Sequence, residues 1–155
     1  MTPRLATVVE TFEKETTMIG FVGAIEQLTL SNTYFRQVLF TAEHTQLVVM
    51  RLDPGEEIGT EVHAGVDQFF RIEDGEADFV FDDGERRRVR AGDGVVIPAR
   101  TRHNVINASR SEPLRLYTIY SPPNHPPGTV HATRADAAAA ETAHGETATT
   151  PGGIS

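Results

Sequence analysis

The feature that most constrains this chain is how often its apolar runs are cut short. From about residue 25 to residue 120, β-branched and aromatic stretches of strand length alternate with turn signals. Tyr34–Thr41 and Gln46–Leu52 are such runs, and Pro54-Gly55 breaks them. Gln68–Glu73 ends at Asp74-Gly75. Ala77–Phe81 and Arg86–Arg90 flank Asp82-Asp83-Gly84-Glu85, a tight hairpin signal. Val95–Ile97 runs into Pro98, and His103–Asn107 and Leu114–Tyr120 complete the set. About nine or ten short strands at this spacing, with almost no helix among them, predict an all-β antiparallel sandwich or small barrel.

The flanks have a different composition. Residues 121–128 carry four prolines and read as an extended connection. The Ala-rich stretch 133–144 predicts a short helix with Thr133 as N-cap and Asp136 in its first turn. From Gly145 on, Ile154 is the one large apolar residue, which reads as a disordered tail. The expected division is an N-terminal extension (1–24), a β-barrel (25–121), a Pro-rich segment with a short helix (122–144) and the tail (145–155).

Charge and cysteine content narrow the function classes. The 155 residues hold 22 acids against 14 bases, a formal charge of -8. That argues against nucleic acid and anionic membranes as partners, since both demand a basic face. No apolar run is long enough to cross a bilayer, and the N-terminus lacks a signal-peptide stretch, so a cytoplasmic location is expected. There is no cysteine, so any metal site must use nitrogen and oxygen ligands.

Such ligands occur at strand spacing. Glu61 and His63 are two apart, so in a strand a carboxylate and an imidazole point the same way. After the turn AGVD, Gln68 opens a strand on which Gln68, Phe70 and Ile72 share a face; if that face is the interior, Gln68 lies beside His63. Asp67 is a rival ligand, but it has the parity of Phe69 and Arg71. A further donor is His103, whose strand would turn His103, Val105 and Asn107 inward.

These residues resemble the two motifs of the cupin superfamily. The first motif is Gly, His-x-His, three or four residues, Glu, six residues, Gly; here it stands as Glu61-Val-His63, four residues, Gln68, six residues, Gly75. The second is Gly, five residues, Pro-x-Gly, two residues, His, three residues, Asn; here it stands as Gly92, Pro98-Ala-Arg100, His103, Asn107. The resemblance covers about residues 45–120 and implies a double-stranded β-helix, a jelly-roll barrel of the RmlC-like type with short N- and C-terminal extensions. It is specific for fold and much less so for reaction.

Three positions depart from the pattern: Glu61 replaces the first His, Gln68 the Glu, and Arg100 the second motif's Gly. The carboxylate has moved between ligand positions rather than vanished. Glu61, His63, Gln68 and His103 still offer one anion, two imidazoles and an amide oxygen as a metal site. Two His and one carboxylate form the ligand combination of open non-haem iron sites. The expected cofactor is a divalent ion, Fe or Mn first, with Zn, Ni, Co or Cu as alternatives. A degenerate barrel whose interior histidines are merely hydrogen-bonded is the competing reading.

Phe70, Phe79, Ile97, Val105 and Asn107 are expected to line the cavity. Only one of Tyr117 and Tyr120 can face it, because their parities are opposite. His125 and His131 read as surface residues flanking the Pro-rich turn, while His44 and His144 carry no signal. Phe35, Val38 and Phe40 are expected on a face that packs on a second subunit, giving a homodimer. The functional expectation is a small-molecule metalloenzyme, a dioxygenase or an isomerase or lyase, with the catalytic residues unknown. The alternative is a non-catalytic cupin that binds a ligand or metal as a sensor or accessory protein.

Overall fold

The computed structural model describes residues 20–144. Most of the expected extension and all of the expected tail therefore lie outside the described residues. The elements in chain order are α1 (Ile25–Ser31), β1 (Arg36–Thr41), β2 (Gln46–Leu52), β3 (Asp67–Asp74), β4 (Glu76–Phe81), β5 (Arg86–Arg90), β6 (Gly94–Ile97), β7 (His103–Asn107), β8 (Leu114–Ser121), β9 (Val130–His131) and α2 (Arg134–His144). A six-stranded sheet, ordered β6-β3-β8-β2-β1-β9, faces a three-stranded sheet, ordered β5-β4-β7. This is the expected all-β jelly roll.

Period-2 alternation decides what lies between the sheets. In β3, Gln68, Phe70 and Ile72 are buried while their neighbours are partly or fully exposed; in β8, Leu114, Leu116, Thr118 and Tyr120 are buried in the same way. Pairing stacks them in layers. Gln68 stands opposite Tyr120, Phe70 opposite Thr118, and Ile72 opposite Leu116. On the other side of β8, Gln46, Val48, Met50 and Leu52 face Tyr120, Thr118, Leu116 and Leu114. The sheets meet through Phe70 and Phe79, edge to face with centroids 5.0 Å apart.

Two turns show why particular residues are needed. Gly75, which ends the first motif, has φ +96° between β3 and β4, and a Cβ there would meet the Pro113 carbonyl oxygen at 2.8 Å. Arg100, where the family pattern has Gly, also sits in the left-handed region at φ 71°. Its N–H donates to the His63 carbonyl at 2.8 Å and its Nη1 to the Ala64 carbonyl at 3.2 Å, fastening the loop before β7 to the loop after His63.

Several expectations need correction. The stretch from residue 25 begins with a helix, α1, not a strand. No side chain caps its N-terminus, and the Thr29 hydroxyl donates back to the Ile25 carbonyl, so the usual start signals are missing from the sequence. Phe35 and Val38 are 3% and 4% exposed within the core and offer no face to a second subunit. His125 and His131 are each 8% exposed, not surface residues. The segment 121–131 is drawn over the barrel because Gln46, itself fully buried, donates to the His125 carbonyl and accepts from the N–H groups of Asn124 and His125. The chain then adds β9 beside β1, and α2 follows with the Thr133 hydroxyl accepting from the Asp136 N–H.

Candidate metal centre

The first two donors sit on an irregular segment rather than a regular strand. Glu61 forms an isolated antiparallel bridge with His103. Its N–H donates to the His103 carbonyl at 2.8 Å, and the His103 N–H donates back at 2.9 Å. Directly paired residues project to one face, so the Glu61 carboxylate and the His103 ring are brought together by the backbone. His63, two residues on, joins them. One donor atom from each of Glu61, His63 and His103 lies within 4.8 Å of the others. The two rings are 5.9 Å apart, and His63 Nε2 is 3.3 Å from the Glu61 carboxylate.

The hydrogen bonds fix which atoms face inward. His103 Nδ1 is 2.9 Å from the Thr101 carbonyl, which only accepts, so Nδ1 carries the proton and Nε2 the free lone pair. An imidazole oriented in this way is the usual form of a metal-ligating His. Gln68 is oriented by similar logic. The Thr118 hydroxyl donates to the Phe69 carbonyl at 2.9 Å and can only accept from Gln68, also at 2.9 Å. The amide nitrogen of Gln68 is therefore on Thr118, leaving Oε1 to face elsewhere. His103 Nε2, His63 Nδ1 and Gln68 Oε1 are buried with no hydrogen-bond partner among the described residues, and His63 Nε2 faces the Glu61 carboxylate at 3.3 Å without hydrogen-bond geometry. Buried polar atoms are normally paired, and this set of two imidazoles, a carboxylate and an amide oxygen matches the needs of a divalent ion.

Protonation follows the surroundings. Burial works to raise the Glu61 carboxyl, but contact with His63 and the charges of His63, Arg36 and His103 outweigh it and hold Glu61 below its usual range. Burial pushes His103 down, only partly offset by the Thr101 carbonyl and Glu61. Anionic carboxylate and neutral imidazole are the forms that bind metal.

The other expected residues are placed as follows. Asp67 is exposed and accepts from the Ala99 N–H at 2.8 Å. Phe70, Phe79, Ile97 and Val105 are buried, with the Phe70 ring 6.1 Å from His103. Asn107 lies at the far end of β7 from His103. Its amide nitrogen donates to the carbonyls of Leu52, Asp53 and Glu112, and its oxygen accepts from the Ser109 N–H, so it ties loops together there. Tyr120, not Tyr117, faces the interior, with its ring 5.9 Å from His63. Its hydroxyl meets His125 Nε2 at 3.3 Å. Burial and then the charge of Arg36 push the His125 pKa down to about 3, so this ring is neutral. Arg36, 2% exposed, is a further inward residue that the sequence reading passed over; its parity with Val38 was the available signal.

Residues 48–120 match the cupin-domain family. An uncharacterized protein of Bacillus subtilis (strain 168), YrkC, is 48% identical over 126 residues, spanning 78% of this chain and 67% of that protein. The chain belongs to the cupin family. A second relative, the uncharacterized L612 of Acanthamoeba polyphaga mimivirus, is 42% identical over 116 residues, spanning 74% of this chain and 72% of that protein. Among solved structures, this cupin is similar to BH2720 of Bacillus halodurans, with TM-score 0.75 and 42% identity over 79% of this chain and 96% of that one. A Klebsiella pneumoniae protein with a double-stranded β-helix domain shares the fold, at TM-score 0.58 and 22% identity over 73% of this chain and 98% of that one.

Proposed function

We propose that this cupin is a small-molecule metalloenzyme of the oxygenase or isomerase and lyase type, with Glu61, His63, Gln68 and His103 as ligands of a divalent ion. The observation that carries the reading is the set of buried donor atoms without partners, together with the Thr101 contact that commits His103 Nε2 as a lone pair. Two imidazoles, a carboxylate and an amide oxygen favour Fe or Mn, with Zn, Ni, Co or Cu as alternatives. When bound, such an ion supplies Lewis-acid polarisation of a substrate oxygen or, if redox-active, activation of dioxygen. The chain's own residues do the rest. Phe70, Phe79, Ile97 and Val105 exclude water from beneath the site. Tyr120, raised well above its usual pKa chiefly by burial, stays protonated and keeps a hydroxyl hydrogen beside His125 and the ligands.

The test is elemental analysis of protein isolated without added metal, with oxygen uptake measured on the same preparation. The expected result is about one equivalent of metal in the wild type and none after His63→Ala or His103→Ala. Stoichiometric metal in the double variant would overturn the assignment. Full activity with a redox-inert ion would remove the oxygenase branch.

We further infer a homodimer in the cytoplasm. No helix among the described residues is long and apolar enough to cross a membrane. Val96 on edge strand β6 and Val130 on edge strand β9 are 67% and 47% exposed and supply apolar surface at unpaired edges. Light scattering at micromolar concentration checks the dimer; a monomer there contradicts it.

A further inference from the structure

A second polar pair, Tyr120 and His125, lies beside the metal centre and supplies no ligand to it. Tyr120 is 2% exposed and stands opposite Gln68 across the pairing of β8 with β3. Its ring meets the His63 ring edge to face, with centroids 5.9 Å apart. Strand register and ring contact thus set Tyr120 against two of the proposed ligands. The same ring meets His125 edge to face at 5.1 Å, and the hydroxyl lies 3.3 Å from His125 Nε2. The centre is not sealed, because the Glu61 side chain remains 18% exposed.

His125 is held more firmly than ring packing alone would hold it. Gln46 accepts from the N–H groups of Asn124 and His125 at 3.0 Å and donates to the His125 carbonyl at 2.7 Å. The backbone is fixed through both its N–H and its carbonyl, and the ring rests on Tyr120. That ring is neutral, and its other nitrogen, Nδ1, is buried without a partner.

Counting hydrogens assigns the direction of the Tyr120–His125 bond. A neutral imidazole has one N–H and one lone pair. A hydrogen on Nδ1 would be a buried N–H with no acceptor, which folded proteins tolerate less than an unused lone pair. The hydrogen therefore belongs on Nε2, which donates it to the Tyr120 oxygen. A phenol that accepts from His125 keeps its own hydrogen for another acceptor. Gln68 is a further hydrogen-bonding neighbour of this hydroxyl, but Gln68 Oε1 does not take the hydrogen, since that atom has no partner.

We propose that Tyr120 donates a hydrogen bond to an oxygen atom of the substrate seated at the metal centre, and that His125 is the positioning residue that turns the hydroxyl hydrogen toward it. The substrate class is a small molecule with a carbonyl or enolate oxygen at its reacting end, and the bond strengthens as negative charge gathers on that oxygen. This deepens the metalloenzyme reading and rests on it. The rival role, a hydrogen-bonded core pair and nothing more, predicts that loss of the hydroxyl affects every metal-binding molecule alike.

Calorimetric titration of the Zn2+-loaded protein with two probes tests the assignment. Acetohydroxamate binds an ion through oxygens that also accept hydrogen bonds, whereas imidazole commits its one lone pair to the ion. The readout is the ratio of the two affinities. Tyr120→Phe is expected to lower that ratio by about tenfold with zinc content unchanged. His125→Phe is expected to lower it by less, and His125→Asn, which retains an N–H, to keep part of what His125→Phe loses. An unchanged ratio in Tyr120→Phe, or no acetohydroxamate binding by the loaded wild type, overturns the proposal. An unchanged ratio in His125→Phe overturns the role of His125. Should Tyr120→Phe fail to fold, nitrogen NMR of the histidine-labelled wild type decides: a proton on His125 Nε2 supports the proposal, and one on Nδ1 overturns it. Elemental analysis separates the two readings. Absence of zinc from the loaded wild type defeats the metal site itself, while retained zinc with an unchanged ratio removes the Tyr120 role alone.

Discussion

The two ends of the barrel are built from the same strands in opposite chemistry. At one end, β2, β3, β7 and β8 contribute Gln46, Gln68, His103 and Tyr120; at the other they contribute Leu52, Ile72, Asn107, Leu114 and Leu116. Asn107, a buried amide at the apolar end, has both its nitrogen and its oxygen engaged. At the polar end, atoms of His63, Gln68, His103, Arg36 and His125 are left without partners. A fully bonded buried polar group stabilises a fold, whereas an unbonded one costs stability and is kept where a ligand completes it. One end thus bears the fold, and the other end is where binding is expected.

The largest expected contrast comes from the histidines. His63→Ala and His103→Ala should each abolish metal retention, and His103→Ala should also lower the unfolding midpoint of the metal-free protein, because it leaves a space beside Phe70 and the Thr101 carbonyl without its Nδ1 partner. Elemental analysis and calorimetry on the same samples check both halves. At the other end, Phe79→Ala should cost about 3–5 kcal/mol in denaturant unfolding, because Phe79 is fully buried and joins the two sheets through Phe70. Asn107→Ala should cost about 1–3 kcal/mol by leaving the loop carbonyls unpaired, with metal content unchanged. If Asn107→Ala lost the metal as readily as His63→Ala, the separation of the two ends would be wrong.

Smaller effects sharpen the boundary. Gln68→Ala should weaken metal binding by about tenfold and Asp67→Ala hardly at all; the reverse order would hand the ligand role to Asp67. Acid should act on the polar end first. His125 and His103 titrate lower in the folded chain than unfolded, so the unfolded state takes up protons first as pH drops below the ordinary histidine value of 6.5. Their neutral forms favour folding above that value, and the advantage is lost as pH falls toward about 3 for His125. Glu61 adds in the same direction below its ordinary value of 4.5, because its folded-state pKa is depressed. The thermal midpoint should therefore decline between pH 7 and pH 4, and His125→Asn should flatten that decline. His44→Ala, exposed on a turn, should change none of these readouts.

The fold was legible because period-2 alternation and turn residues act locally. The parity of Gln68 with Phe70 and Ile72 placed it inside, and Gly75 and Asp83-Gly84 marked turns that the backbone makes. What was not legible depends on distant partners. His125 reads as a surface residue until Gln46, far away in sequence, draws its backbone over the barrel. Arg36 carried no signal in the sequence reading, because it is β9, far along the chain, that pairs beside it and brings His131 against it. Helix α1 gave no start signal because nothing caps it.

The backbone bridge between Glu61 and His103 has a consequence for unfolding. The chain between these residues forms β3 to β6 before it returns, so an ion held by the triad would tie shut a loop that contains the hairpin β4-β5 and one edge strand of each sheet, β5 and β6. Such a tie acts as a removable cross-link, lowering the entropy of the unfolded chain as well as filling a site. Chelation would then lower the unfolding barrier of that loop specifically, and native-state hydrogen exchange would show it as a loss of protection confined to β3–β6 while β2 and β8 keep theirs.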